Sequence, residues 1–133
     1  MDEPLRLGAL AQVSQPVSDI ERSVAWYGGP LGLPHLFTFG NLAFFDCGGT
    51  RLFLSAEPGS PRPPSATILY FRVADIVAVH RELGERGVTF EGAPHRVHRH
   101  PDGTEEWMAV FHDPDGNLLA LMSQVAPASE PGP

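Results

Sequence analysis

The chain repeats itself, and the repeat is what most restricts its fold. Asp19 and Asp75 stand 56 positions apart in matching surroundings, Val17-Ser18-Asp19-Ile20 and Val73-Ala74-Asp75-Ile76. Before each Asp comes a strand-like run, LAQVSQPV in the first half and ILYFRV in the second. After each comes a helical stripe: Ile20, Val24 and Tyr27, then Ile76, Val79, His80 and Leu83. Ser18 with Glu21 reads as a capping box. The helices run out at glycine, Gly28-Gly29 and Gly87. Strand-like runs follow: HLFTF, LAFFDC and TRLFLS in the first half, and VTFEG, HRVHRH, EEWMAVFH and NLLALMS in the second. Cys47-Gly48-Gly49 and Asp113-Pro114-Asp115-Gly116 mark the sharp turns. Each half therefore reads as β-α-β-β-β. A half-sheet with a single helix cannot cover both its faces, so the halves are expected to pair in an α+β fold.

A length of 133 residues suits one domain with a real core, expected over residues 1–125. Its modules span about 7–56 and 67–125. The Pro/Ser-rich stretch EPGSPRPPSA, residues 57–66, reads as a linker, and residues 126–133 as a disordered tail. No apolar run reaches the roughly 18 residues of a bilayer span. The acidic N-terminus lacks the basic and apolar regions of a signal peptide. A net charge of -7 opposes binding to nucleic acid or to anionic membrane surfaces. One cysteine, Cys47, cannot close an internal disulfide, which points to a reducing cytoplasm.

On QVSQPVSDIERSVAWYGGPLGL near the start and FHDPDGNLLAL near the end, set on the duplicated pattern, the chain resembles the vicinal oxygen chelate superfamily over about residues 8–124. That superfamily includes glyoxalase I, extradiol dioxygenases, fosfomycin-modifying enzymes and bleomycin-resistance proteins. The resemblance implies two paired modules whose curved sheet surrounds a cleft. It also implies a homodimer.

The resemblance further locates the positions at which metal-dependent members hold their ion. They fall here on Gln12, seven residues before Asp19, and on Phe53, Ile68 and Ala120. One amide oxygen cannot hold a divalent ion, which wants several oxygen or imidazole ligands. The neighbours of Ile68 and Ala120 supply no His or carboxylate either. No metal and no other cofactor is expected, and with them go glyoxalase-type isomerisation and extradiol cleavage in their usual form.

Strand alternation then gives the residues expected to face a ligand. Gln12 brings Ser14, Phe53 brings Arg51, Ile68 brings Tyr70 and Arg72, and Ala120 brings Met122. Val13, Leu52, Leu54, Leu69, Phe71, Val73, Leu119 and Leu121 fall on the opposite parity, beneath the helices. Apolar walls with a few amides, hydroxyls and two arginines suit a small-molecule pocket. Arg51 and Arg72 either reach solvent or grip an anion. Trp107 either walls the cleft or packs in the core.

His98 and His100 share strand parity and could act as an acid-base pair, with Tyr70 a third candidate for chemistry. The same run also reads as a solvated strand, interleaved with Arg96 and Arg99. Two functions stay open. One is a metal-free protein of the bleomycin-resistance type that binds a small aromatic or anionic molecule. The other is a lyase, isomerase or dioxygenase of the same superfamily, including a metal enzyme with a non-standard site.

Overall fold

The computed structural model describes residues 5–127. The chain divides into two compact units between Ser65 and Ala66. Each is a four-stranded mixed sheet with one helix on one face, and both follow the β-α-β-β-β order.

Unit 1 holds β1 (Gln12–Pro16), α1 (Ile20–Gly28), β2 (His35–Phe39), β3 (Leu42–Cys47) and β4 (Thr50–Ser55). The sheet runs β1-β4-β3-β2, with β1 parallel to β4 and the other pairs antiparallel. α1 packs on β3 and β4. Its stripe Ile20 and Tyr27 is buried against Ala43, Phe45, Leu52 and Leu54. Unit 2 holds β5 (Leu69–Arg72), α2 (Ile76–Glu85), β6 (His95–Arg99), β7 (Glu105–His112) and β8 (Leu118–Val125). Its sheet runs β5-β8-β7-β6 with the same senses of pairing. Ile76 and Leu83 of α2 are buried, as are Ala109 and Phe111 of β7 and Leu119 and Leu121 of β8, the strands it packs on.

Both helices start at the repeated aspartate. Asp19 accepts a hydrogen bond from Arg22 N–H at 3.1 Å, and Asp75 one from Ala78 N–H at 3.0 Å. Each side chain satisfies one of the helix's orphan donors. This corrects the capping box: Ser18 lies outside the helix, and its Oγ accepts from Arg22 Nη2 at 2.9 Å. At the far end of α1, Gly29 N–H donates to Ala25 O at 2.9 Å. A Cβ on Gly29 would lie only 2.5 Å from that oxygen. Gly29→Ala should therefore destabilise the protein by about 1–3 kcal/mol, through the clash. Equal urea midpoints for Gly29→Ala and wild type would show that the turn relaxes freely.

VTFEG differs from expectation. It forms no strand, and Phe90 makes a single bridge to Phe111. The stretch lies against α2 instead: the Phe90 ring sits 4.3 Å from that of His80, whose Nε2 is 3.1 Å from Gly92 O. Residues 56–68 carry no helix or strand. Residues 126 and 127 are likewise irregular, and 128–133 of the expected tail lie outside the described residues.

Candidate functional site

In each sheet the helix takes one face, and side chains opposite one another in a ladder share a face. The helix-free face of unit 1 therefore reads off the register. Gln12 pairs with Arg51, Ser14 with Phe53, Phe53 with Phe44, and Phe44 with Phe37. The rings stack in a row: Phe37 to Phe44 with centroids 4.4 Å apart, and Phe44 to Phe53 at 4.9 Å. The Arg51 guanidinium lies over them, 5.4 Å from the Phe44 centroid and 6.0 Å from that of Phe37. That is cation–π distance. Asp46 faces Arg51 in the ladder, but one of its oxygens accepts from Gly49 N–H at 3.0 Å. Among the described residues Arg51 has no ion-pair partner. Phe37 and Phe39 are exposed, Phe39 to 74%. Large apolar rings exposed together mark a contact surface.

The helix-free face of unit 2 is more polar. Tyr70 pairs with Ala120 and Arg72 with Met122. On β7 this face presents Glu106, Met108, Val110 and His112, opposite Gln124, Met122, Ala120 and Leu118. A register shift between Arg96 and His98 turns His98 to the same side, opposite Glu106. His100 joins them through its Nε2, 2.8 Å from Glu106 Oε2. That hydrogen bond, before any other influence, holds the Glu106 carboxyl below the usual carboxylate range. Arg72 is exposed and has no ion-pair partner among the described residues.

Eight of the residues named from strand alternation lie on helix-free faces. Gln12, Ser14, Arg51 and Phe53 share the helix-free face of unit 1, and Tyr70, Arg72, Ala120 and Met122 that of unit 2. Ile68 precedes β5 and is half-buried. Ala120 is fully buried, so its methyl is floor rather than contact. Trp107 is a correction. It lies opposite Ser123, on the same face as buried Ala109 and Phe111, and is half-buried. Its indole N–H donates to Glu105 Oε1 at 2.9 Å. Arg96 stands on that same side, paired with Glu105 at 3.1 Å, so its charge is turned away from His98. The Trp107 and Arg96 bonds hold the Glu105 carboxyl below its ordinary range. Burial, aided by the Asp46 charge, pushes the Cys47 thiol up to about 11, so it offers no thiolate nucleophile at neutral pH.

Phe37, Phe39 and Phe44 did not enter the expected site. Their signal was present in the alternation of HLFTF and in the Gly48-Gly49 turn that fixes how β3 meets β4.

The sequence model of the Glyoxalase/Bleomycin resistance protein/Dioxygenase superfamily matches residues 9–121. The chain belongs to this superfamily. The curated, uncharacterized protein YraH of Bacillus subtilis is a relative, 31% identical over 129 residues, spanning 84% of this chain and 95% of that one. Among solved structures, a superfamily member from Sphaerobacter thermophilus is 26% identical, with a TM-score of 0.68 over 90% of this chain and 99% of its own. A virulence protein from Salmonella typhimurium is 24% identical, with a TM-score of 0.72 over 91% and 100%. A lactoylglutathione lyase from Agrobacterium tumefaciens is 21% identical, with a TM-score of 0.67 over 88% and 94%. The likeness to the last two is one of fold.

The positions that hold metal in metal-dependent members of the superfamily do not suit an ion here. Gln12 offers an amide, the Phe53 ring is committed to its stack on Phe44, and Ile68 and Ala120 are hydrocarbon. A divalent ion would lose its water for one neutral oxygen. Among the described residues no group of three or more His, Cys, Asp or Glu is placed to hold a metal elsewhere.

Proposed function

We propose that this superfamily member binds a small aromatic anion without using a metal ion. The observation that supports it best is the Phe37-Phe44-Phe53 stack beneath the unpaired Arg51. A planar ring extends such a stack with favourable offset geometry. A carboxylate on the same ligand accepts a forked pair of bonds from the guanidinium, which an ammonium cannot supply. Gln12 and Ser14 stand beside Arg51 and Phe53 in the ladder and add neutral donors. A charge-assisted bond of this kind contributes about 1.5–3 kcal/mol.

Calorimetric titration with 1-naphthoate tests the reading. Arg51→Lys keeps the charge but loses the fork, so affinity should fall about tenfold, at a stability close to wild type. Phe37→Ser should weaken naphthoate as well, and cyclohexanecarboxylate should bind less well than the aromatic acid. Prior treatment with EDTA should leave the titration unchanged. Equal binding of naphthoate by Arg51→Lys and wild type would defeat the proposal. So would stabilisation by cationic bleomycin and not by any aromatic acid.

A further inference from the structure

Two methionines lie side by side on the helix-free face of unit 2, and ligand binding on unit 1 does not use them. Met108 of β7 stands opposite Met122 of β8 on one side and opposite His95 of β6 on the other. The three are therefore nearest neighbours in one row of the sheet. Adjacent strands run about 4.8 Å apart, so the outer two Cα atoms are about 10 Å apart with Met108 between them. Each outer side chain has a single strand spacing to cross. A methionine does so easily, because its unbranched chain turns about three bonds. Met108 and Met122 are half-buried and His95 is exposed, so solvent reaches all three.

The His95 ring is already oriented. Its Nδ1 lies 3.4 Å from Ala93 O. A carbonyl only accepts, so this contact favours the proton on Nδ1 and leaves the lone pair on Nε2. Metal-binding histidines are held in the same manner, through the nitrogen that does not bind. The row thus offers two thioether sulfurs and one imidazole, all neutral. Thioether sulfur is soft and polarizable, and it selects Cu(I) over ions that want oxygen ligands.

Charge sets the valence. Arg72 stands opposite Met122, on the side away from Met108, and opposes any cation. Glu106 lies two residues from Met108 on the same face and counters it. Its bond to His100 keeps that carboxyl ionised, below the usual carboxylate range. Gln124 and His98 complete the Glu106 row, and Tyr70, Ala120 and Val110 form the row on the other side. Neither adds a second carboxylate, so a divalent ion would carry a charge that nothing beside it offsets.

We infer that His95, Met108 and Met122 form a site for a monovalent soft cation, Cu(I), with the imidazole Nε2 and the two thioether sulfurs as donors. The site shares no residue with Gln12, Phe53, Ile68 and Ala120, and its donors are of another kind. It stands on unit 2 alone and is independent of aromatic-acid binding on unit 1.

Ag(I), which matches Cu(I) in charge and softness and is stable in air, is the first probe. Cys47→Ser is the background, because the free thiol would compete for either ion. The chain has three methionines. In spectra of carbon-13 methyl-labelled protein, one equivalent of Ag(I) should shift the Met108 and Met122 signals and leave that of Met1 in place. Cu(I), delivered without oxygen from a chromophoric chelator, should do the same. Met108→Leu and Met122→Leu conserve volume and should fold as wild type. Each should weaken Ag(I) about 100-fold or more, since even the groups behind a metal ligand are worth about 10- to 100-fold. His95→Ala, at an exposed position, should weaken it likewise with no change in urea midpoint. Methyl signals that stay fixed with Ag(I) would overturn the inference. Undiminished Ag(I) affinity in both leucine variants would do so too, and would move the ion to the His98 and His100 rings, 4.6 Å apart. Equal methyl shifts with Zn(II) would show that the site is not selective for a soft ion, and would also overturn it. Loss of naphthoate binding with the Ag(I) shifts intact removes the unit 1 reading alone. The opposite result removes this one alone.

Discussion

Phe111→Ala should lower stability by about 3–5 kcal/mol, the range for a fully buried aromatic whose cavity cannot collapse. The Phe111 ring is wholly buried, opposite Leu119, with the Phe90 ring 5.2 Å away. Phe90 in turn meets His80 of α2. Removing Phe111 therefore loosens sheet, helix and the 88–92 stretch together. Phe45 is its counterpart in unit 1, equally buried between Tyr27 at 6.1 Å and His35 at 5.2 Å, and Phe45→Ala should cost a similar amount. Phe71→Ala should cost less, and Tyr70→Ala least. Alternation alone makes Phe71 a deep core residue. In the structure it is only half-buried, because β5 is the edge of its sheet and gives Phe71 a strand neighbour on one side. Urea denaturation of the four variants gives the order directly. A larger loss for Phe71→Ala than for Phe111→Ala would mean that the assignment of faces in unit 2 is wrong.

Much of the fold follows from local chemistry that the residues state openly. Asp19 and Asp75 are short acceptors placed just before an apolar stripe, and both cap their helices. The strands HLFTF, LAFFDC and TRLFLS coincide with β2, β3 and β4. Gly48 and Gly49 both take positive φ, 64° and 99°, so the β3–β4 loop can have only two residues, and Cys47 must pair with Thr50. From that pairing Phe44 stands opposite Phe53, and the aromatic row follows.

Other features had no such marker. Two of the four edge strands, β2 and β6, slip register near their starts, between His35 and Phe37 and between Arg96 and His98. No glycine signals either shift, yet the second turns His98 toward Glu106. The β7 sequence EEWMAVFH is apolar on both alternations, so nothing in it says which face is the helix side. Trp107 could only be placed by the pairing with Ser123. Gln15 is a further exception. It is fully buried on the helix side of β1, opposite Leu54, where the repeat has Phe71 in the second half. An amide at that position breaks the hydrophobic pattern from which a core is read. The His100–Glu106 pair crosses a turn and depends on tertiary contact, which spacing along the chain does not encode.

Asp113→Ala should cost about 2–4 kcal/mol, although the residue lies in a loop. Asp113 and Asn117 are both buried where β7 turns into β8. One Asp113 oxygen accepts from the backbone N–H groups of Asp115 at 2.9 Å and Asn117 at 2.8 Å. The other accepts from Asn117 Nδ2 at 2.8 Å. Asp113 N–H donates to Asn117 O at 3.0 Å, and Gly116, at φ 80°, lets the chain close the turn. Truncation removes three accepted bonds, two of them to the buried Asn117, so the loss exceeds that of an exposed turn. Asp113→Asn replaces one acceptor by a donor aimed at another donor, and should fall between alanine and wild type. The β7–β8 pair carries Glu106, Met108, Met122 and Gln124, so the same substitution should raise hydrogen exchange at their amides. Glu106 would then hold His100 less firmly. A urea midpoint for Asp113→Ala equal to that of wild type would show that the turn is held by the strands it joins, rather than the strands by the turn.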